Sequence, residues 1–402
     1  MIPQREAYSI VVDSFQKMPS GSISLEEASG RVLAADVVCD IDMPPFDRSA
    51  MDGYAISGTQ TELQLLDEIP AGSTGGPVAS GQAAPIMTGA PIPQGADRVV
   101  MVEWTSADRG TVHLQRVPER GANICLRGED IRRDDVVLAS GSLMTPTRIG
   151  IAAMAGRETV TVHRLPRVGL LTTGTEVVSS GWVPGPGQVR NANLPMMRAV
   201  LCHAPCVTVA ALHAADDPAS LESCLGQLLD ACDVVVAAGG VSMGTRDYVP
   251  GVMRGLGVDI VFDRVAQKPG KPLTFGTLKR GARVFGMPGN PVSVLVGMEE
   301  YLLPALRKAS GLTAFGKRTY TGSCQFTHAK KKGRMEYLRV MAQPSSDGWV
   351  LRKPETSGSG DLMSACDTCA LAITPREETR ISVDQQLPFH FFSFHAGEAA
   401  FE

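Results

Sequence analysis

Residues 167–309 alternate short runs of β-branched residues with segments of helical character. This alternation is typical of a parallel sheet wrapped by helices. It predicts helices over 218–231 and 291–303, with Asp217 and Asn290 as N-caps and a proline as the first residue of each helix. It predicts strands over residues 168–172, 206–212, 233–238, 258–265 and 283–285. Ligands bind an open α/β sheet at the carboxyl ends of its strands, so we expect a site in the loops that follow these strands.

The regions on either side of this segment have a different character. Residues 1–166 are richer in glycine and proline, and after a helical opening their short alternating segments favour strands. After about Gly311, strand-like segments separated by turn residues predict a small C-terminal β domain: TYTGSCQFT, EYLRVMAQ, WVLRK and CALAITP. At roughly 150 residues per domain, a chain of 402 residues is expected to contain two to four domains.

Composition excludes several classes of protein. The net charge of −4, from 38 basic and 42 acidic residues, argues against a nonspecific nucleic-acid binder. No apolar run approaches the roughly 18 residues of a membrane helix, and residues 1–17 lack the features of a signal peptide, so we expect a cytoplasmic protein without a membrane partner. The nine scattered cysteines fit reduced thiols. Metal or redox use of Cys366 with Cys369, or of Cys202, His203 and Cys206, is disfavoured because no second pair stands at metal spacing.

A glycine-rich loop follows the predicted strand 233–238. Gly239 and Gly240 there would let backbone N–H groups approach a ligand closely. The same loop fits GxSxG, so a hydrolase with Ser242 as nucleophile is an alternative. Its triad would need a later aspartate and one of three histidines: His328, His390 or His395.

Three further loops follow or join predicted strands. AQKPGKP places Lys268 and Lys271 three residues apart on a proline-restricted turn, which favours an oxyanion or phosphate site. FGMPGNPVSV turns through Pro288, Gly289 and Asn290 into a helix at Pro291, whose free N–H groups would also attract an anion. LLTTGTEV carries Glu176, a carboxylate suited to a divalent metal or to proton transfer.

The N-terminal half contains loops dense in Gly, Pro, Asp and small polar residues. Loops of this composition are usually turns or sites. These loops supply side-chain oxygens and a guanidinium, a mixture expected where Mg²⁺ bridges to a pyrophosphate or an oxyanion. The residues that carry these groups are Asp52, Thr88, Arg127, Glu129 and Asp130.

Eight blocks together resemble the molybdopterin molybdenumtransferase family, which includes bacterial MoeA and the E domain of gephyrin. They occur in the family's order over nearly the whole chain: SAMDGYA, IMTGAPIP, the GEDI block, TTGTE, the DDP turn, GGVSMGTRDY, KPGKP and GMPGNPVS. The resemblance implies a multidomain α/β plus β fold with a three-layer molybdopterin-binding domain. Its implied parts are an elongated N-terminal domain (1–41 with 144–166), an inserted β domain (42–143), the α/β domain (167–310) and a C-terminal β barrel (311–402).

The resemblance also implies a homodimer, in which the inserted domain of one subunit brings Asp52, Thr88 and Asp130 opposite Lys268 and Lys271 of the other. By the same resemblance, molybdate or phosphate would be held by Lys268, Lys271, Arg127 and Ser49. The pterin-phosphate pocket would be lined by Gly239, Gly240, Ser242, Asp247, Pro288 and Pro291, with Asn290 in the same turn. Metal handling and hydrolysis would fall to Asp52, Glu176 and Asp130, with Asp216 or Asp217 as a further candidate.

The implied activity is insertion of molybdate into adenylated molybdopterin with Mg²⁺-dependent release of AMP. Expected partners are a molybdopterin adenylyltransferase and cofactor-accepting molybdoenzymes. The family's loop commonly reads TGDE, whereas this chain has Thr175 before Glu176. That departure implies weaker Mg²⁺ binding, or a paralogue that handles tungstate or serves as a cofactor carrier or scaffold.

Overall fold

The computed structural model describes residues 1–241 and 248–395. The chain folds into two compact units. The first comprises Met1–Ser22, Gly30–Ala34 and Thr161–Glu402, and the second comprises Ile23–Ser29 and Ala35–Val160. Strands Ser20–Ser24 and Thr159–His163 fall at the boundary between the units. The finer division into four domains stays a prediction.

A six-stranded sheet forms the centre of the first unit. Four of its strands are parallel neighbours, in the order Val207–Ala214, Arg167–Thr173, Val234–Ala238 and Arg283–Met287. The sheet continues through Thr274–Thr277 and ends at Asp259–Phe262.

The prediction of an all-parallel sheet is wrong at one strand. Thr274–Thr277 runs antiparallel to both of its neighbours, and its strand was not predicted. A tight hairpin connects it to Arg283–Met287, with the Leu278 N–H donating to the Ala282 carbonyl at 2.8 Å. Antiparallel neighbours need no crossover helix, so this connection leaves no helical signal in the sequence.

Helices cover both faces of this sheet. Pro218–Ala231 and Val249–Gly255 pack on one face, against Val235 and Ala237. The other face, which includes Val234 and Val236, packs against Gln4–Ser14, Asn193–Leu201 and the helices that follow Pro291. Successive residues of one buried strand therefore serve opposite cores, as the pleat requires. This three-layer arrangement confirms the predicted α/β class.

The helix that begins at Pro291 is longer than predicted. It runs as Pro291–Gly297, a π turn over Met298–Leu302, and Leu303–Ala309. The prediction ended before Pro304, because proline lacks the N–H that a helix interior needs. In the structure Pro304 lies in the first turn after the π segment, where that donor is not required.

The π turn buries two adjacent carboxylates, Glu299 and Glu300. The Lys317 ammonium lies 2.5 Å from Glu299 Oε2 and 3.4 Å from Glu300 Oε1. His390 Nδ1 lies 2.9 Å from Glu300 Oε2, and Ser393 donates from its N–H and its hydroxyl to Glu299. These buried charges are therefore paired and hydrogen-bonded, as burial of an ion requires.

Five strands of the first unit close into a barrel, which confirms the predicted C-terminal β barrel. Around the barrel they are Met335–Ser345, Gly348–Arg352, Tyr320–Cys324, Gln386–Phe391 and Ala370–Thr374, and the last pairs with the first. The segment Gln267–Lys268 adds a parallel strand to Met335–Ser345, opposite Met335 and Glu336. Two short pairs complete this unit: Val177–Val178 with Val189–Arg190, and His328–Ala329 with Arg380–Ile381.

The second unit contains its own six-stranded sheet. Its order is Arg98–Met101, Gly53–Ile56, Gln82–Ile86, Glu62–Leu65, Thr111–Leu114 and Thr105–Asp108. Two apolar cores lie around this sheet, one containing Ala55 and Val99 and the other Ile56 and Val100. Short pairs join Arg48–Ser49 to Ile124–Cys125 and Val37–Val38 to Val136–Leu138. The helix Pro146–Met154 is capped by Thr145. Across all described residues, no helix is both long enough and apolar enough to cross a membrane.

Candidate active site

The glycine loop follows its strand at a point of close backbone approach. Gly239 has a φ of 103°, and a Cβ there would lie 2.6 Å from Thr173 Oγ1 and 2.9 Å from the Thr173 carbonyl oxygen. Only glycine fits this position. Within the described chain, the buried Thr173 hydroxyl has no hydrogen-bond partner. The start of the loop thus brings a backbone without a side chain, at Gly239, next to a hydroxyl that can still form a hydrogen bond, at Thr173.

Two predicted residues of this loop, Ser242 and Asp247, lie outside the described residues. Two of the three histidines considered for a serine triad have other partners. His328 Nε2 lies 2.8 Å from Glu336 Oε2, and His390 binds Glu300 in the cluster at the π turn. His395 packs against the ring of Phe394, with centroids 4.9 Å apart.

The PGN turn lies beside the glycine loop. A Cβ on Gly289 would be 3.8 Å from the Gly239 Cα. Pro288 is buried, whereas Gly289 and Asn290 are exposed. Asn290 occupies the N-cap position as predicted, but its side chain does not cap the helix and instead donates to Ser359 Oγ at 2.8 Å. The turn therefore joins the α/β sheet to the 353–359 loop of the barrel region.

The TTGTE loop is tied to the DDP turn. The Thr175 N–H donates to Asp216 Oδ2 at 3.2 Å, and the Asp216 N–H donates to Thr175 Oγ1 at 3.1 Å. Asp217 caps the next helix, accepting from the Ser220 N–H at 2.9 Å. Glu176 is exposed, and its carboxylate lies 3.0 Å from the place where a Cβ on Gly174 would stand.

Two asparagines that the sequence analysis missed hold these loops. Asn191 donates to Thr172 Oγ1 at 2.8 Å, and Asn193 donates to the Gly289 carbonyl at 2.7 Å. Asn193 Oδ1 is buried and has no hydrogen-bond partner among the described residues. The sequence feature that could have identified them is the RNAN segment, where two asparagines stand at the start of a helix.

The two predicted anion-binding lysines differ in their surroundings. Lys268 precedes a cis proline, and its ammonium lies 3.5 Å from Glu336 Oε1. Lys271 is exposed and has no ion-pair partner in residues 1–241 or 248–395. The fully buried Gln267 holds the turn between them by donating to the carbonyls of Pro269 and Gly270, at 3.1 and 3.4 Å.

Lys268 borders a cavity of about 370 Å³ between the KPGKP loop, the barrel and residues 353–359. Cationic and hydroxyl groups dominate its polar lining: Lys268, Arg339, Lys353, Thr356, Ser357 and Ser359, beside His328 and Glu336. Arg339 is held by the Asp361 and Gly358 carbonyls and by Thr356 Oγ1, at 2.7, 3.2 and 2.5 Å. Burial lowers the pKa of its guanidinium below the usual value. Of these lining residues, the sequence had assigned only Lys268 to anion binding.

In the second unit, Asp52 and Thr88 contact each other. Asp52 Oδ1 accepts from the Thr88 N–H at 2.6 Å and from the Thr88 hydroxyl at 2.8 Å. Both residues are exposed. These bonds, the backbone one first, lower the pKa of Asp52 and favour its ionised form.

The remaining predicted residues of this unit have varied roles. The Arg127 guanidinium lies 2.8 Å from Asp42 Oδ2. The Arg133 N–H, and then Arg127, lower the pKa of Asp42. Ser49 is buried, and its hydroxyl donates to the Met51 carbonyl at 2.6 Å, so it supports a turn in this structure. Asp130 is exposed, and its assignment stays a prediction.

The predicted Mg²⁺ ligands are divided between the two units: Asp52 and Asp130 belong to the second and Glu176 to the first. Among the described residues, no three His, Cys, Asp or Glu side chains lie close enough to hold one ion. The assignment of Asp52, Asp130 and Glu176 to Mg²⁺ handling, with the two units supplied by different subunits, therefore stays a prediction.

Two family models match most of the chain. Residues 2–156 match the family described as MoeA N-terminal region (domain I and II), and residues 169–308 match the probable molybdopterin binding domain. The molybdopterin molybdenumtransferase of Haemophilus influenzae is 34% identical over 335 residues, covering 82% of each chain. That of Staphylococcus aureus strain COL is 30% identical over 384 residues, covering 93% of this chain and 91% of the relative.

The chain belongs to the molybdopterin molybdenumtransferase family. The structure of a molybdopterin biosynthesis MoeA protein from Pyrococcus horikoshii OT3 is similar over 98% of this chain and 100% of that chain. The TM-score is 0.81 at 27% sequence identity. The predictions of family, of fold class and of an enzyme in the molybdopterin molybdenumtransferase family are thereby confirmed.

Proposed function

We propose that this chain completes the molybdenum cofactor by inserting molybdate into adenylated molybdopterin, with Mg²⁺-dependent release of AMP. The observation that carries the proposal is the cationic cavity at Lys268, next to the glycine edge of a molybdopterin-binding domain. Both substrates are anions, so the site must offset their repulsion when it brings them together.

The cavity provides groups suited to a tetrahedral oxyanion. Lys268 and Lys353 contribute ammonium groups, and Arg339 contributes a guanidinium that its hydrogen bonds fix in place. The hydroxyls of the 356–359 loop supply donors of adjustable direction. Its volume of about 370 Å³ leaves room for molybdate together with the dithiolene end of a pterin.

The glycine and PGN loops are proposed to hold the pterin and its phosphate. Gly239 and Gly289 carry no side chain between the ligand and the backbone. Thr173 and Asn193 each offer a buried oxygen that has no hydrogen-bond partner among the described residues. An unpartnered buried oxygen is costly, and a ligand donor would remove that cost. The pterin ring is rich in such donors.

Hydrolysis of the phosphoanhydride is proposed to need a second subunit. Asp52, held ionised by Thr88, would orient the attacking water, and Asp130 and the Glu176 of the other subunit would assist it. Mg²⁺, when bound to the pyrophosphate of the substrate, would neutralise its charge. The homodimer, an adenylyltransferase as donor and cofactor-accepting enzymes as recipients belong to the same proposal.

The decisive experiment measures AMP release from adenylated molybdopterin with Mg²⁺, with and without molybdate, followed by activation of an apo-molybdoenzyme. Lys268→Ala is compared with Lys279→Ala, which changes an exposed lysine in a hairpin turn. Molybdate-dependent release and activation, lost in the first variant and kept in the second, are expected. Absence of release from the wild-type protein, despite bound molybdopterin, would contradict the proposal and indicate a cofactor carrier.

A further inference from the structure

An imidazole–carboxylate pair borders the cationic cavity. His328 Nε2 lies 2.8 Å from Glu336 Oε2, and the other oxygen of this carboxylate lies 3.5 Å from the Lys268 ammonium. The side chain of Glu336 is only 4% exposed, and that of His328 is 16% exposed. All three residues line the cavity.

The carboxylate determines which imidazole nitrogen is available. With Nε2 donating to Glu336, the neutral ring keeps its free electron pair on Nδ1. Within the described chain, Nδ1 of His328 makes no hydrogen bond. A buried carboxylate that orients an imidazole and stabilises its protonated form is the arrangement used by general bases. His328 is therefore equipped to accept a proton and to return it.

Insertion of molybdate requires such a proton transfer. One molybdate dianion and one dithiol give a trioxo-molybdenum dithiolene dianion and one water. Two Mo–S bonds form, one Mo–O bond breaks, and molybdenum stays hexavalent, so no oxidant or reductant is needed. The two protons leave the sulfurs and end on the departing oxygen. An oxygen that left without them would depart as oxide, which is a far poorer leaving group.

We propose that His328 carries a proton from a dithiolene S–H to the departing oxygen of molybdate, with Glu336 as its positioning residue. This inference rests on the proposed function and names a catalytic group for it. Nδ1 accepts the first proton, the imidazolium is stabilised by Glu336, and the same nitrogen then protonates the oxygen. The second S–H proton goes to the same oxygen and completes the water.

Several charged groups surround His328. Glu336 contacts its imidazole, and three cations line the same cavity: Lys268, Arg339 and Lys353. The strand paired with His328–Ala329 contributes Arg380, opposite Ala329. Lys330 donates to the carbonyls of Pro375 and Glu378, which occupies its ammonium.

The test compares His328→Gln and Glu336→Gln with the wild-type protein in molybdate insertion between about pH 5 and pH 9. The maximal rate is expected to fall about 100-fold in His328→Gln, with the Kd for molybdate changed less than about threefold. The acidic limb of the rate profile should disappear. Added imidazole should restore part of the rate in His328→Ala, which a purely structural histidine would not allow.

His113→Gln is the matched control, because His113 faces Glu62 at 3.6 Å on an exposed strand pair. It should insert molybdate at the wild-type rate. A wild-type rate and pH profile in His328→Gln would overturn the inference while leaving the proposed function intact. The inference would also be overturned if weaker molybdate binding or unfolding accounted for the whole loss of rate in His328→Gln. Calorimetry measures the molybdate affinity, and thermal melting measures the stability. An inactive wild-type protein would instead overturn the proposed function.

Discussion

Thr175 and Asp216 bind each other twice, each donating its backbone N–H to the side chain of the other. Thr175 stands at the position of the aspartate in the TGDE pattern with which its loop was compared. The threonine hydroxyl therefore takes over as acceptor without placing a second carboxylate beside Asp216. Like charges at that distance would raise the pKa of one of the two groups.

This relationship predicts different outcomes for three changes at position 175. Thr175→Val removes the acceptor of the Asp216 N–H and should lower the free energy of unfolding by about 1 kcal/mol, whereas Thr175→Ser should cost less. Thr175→Asp keeps an acceptor and adds a carboxylate next to Glu176. We expect it to lower the Mg²⁺ concentration needed for half-maximal AMP release. An unchanged or higher Mg²⁺ requirement would show that the missing aspartate is unrelated to the metal.

Gly239 should not tolerate a side chain. Gly239→Ala adds a Cβ that would lie 2.6 Å from Thr173 Oγ1, at a φ of 103°. Gly30→Ala is the matched control, since Gly30 has a φ of 71° but no atom within 4 Å of its Cβ position. The control should cost about 1 kcal/mol from backbone strain alone. Urea unfolding should show a larger loss for Gly239→Ala, and equal losses would disprove the close approach.

Asp217 should contribute to stability through its cap. Asp217→Ala removes the acceptor of the Ser220 N–H and should lower the free energy of unfolding by about 1 kcal/mol. Asp217→Asn should retain most of the stability, because its amide oxygen can accept the same bond. Equal losses in both variants would contradict this explanation and would show that the negative charge at the helix N-terminus, not the capping bond, provides the stability.

The Asp52 carboxyl should titrate below its ordinary range. Its pKa is lowered by the Thr88 N–H and hydroxyl, so its stabilising effect is complete above the unfolded pKa of about 4. The effect is lost as the pH falls through the lower folded pKa. Thr88→Val should raise the pKa of Asp52 by removing the hydroxyl bond while keeping the backbone bond. Carbon-detected NMR titration of Asp52 measures both values, and an unmoved pKa would refute this explanation.

Lys317 should be required for stability. Burial raises the pKa of Glu300, but Lys317 and His390 outweigh that effect and the net shift is downward. Lys317→Met would leave two buried carboxylates without their shared ammonium and should cost about 3 to 5 kcal/mol. Lys308→Met is a suitable comparison, since Lys308 forms an ion pair with the exposed Asp13 at 3.7 Å and donates to the Val12 carbonyl, so its loss leaves no buried carboxylate. Chemical unfolding of the two variants should therefore give clearly different midpoints.

Local signals predicted the buried parallel strands well, because continuous β-branched runs such as DVVVAA need two covered faces. The strand Thr274–Thr277 was not predicted because it has only four residues, one of them glycine, which is uncommon in strands. In the site, each strand-end loop was recognisable from its glycines, prolines and charges. The residues that contact these loops could not be recognised in the same way. Lys268 and Glu336, for example, come close only when the chain folds, and no spacing in the sequence relates them.

Lys268 lies on a segment that is hydrogen-bonded to the barrel strand beginning at Met335. The barrel therefore forms part of the cavity beside Lys268 and cannot be exchanged without changing that cavity. Exchanging it between relatives would carry along the carboxylate that faces this lysine and most of the wall that surrounds it. Selection for a new oxyanion would then act on two sequence regions at once, and chimeras that cut between them should lose anion discrimination before they lose their fold.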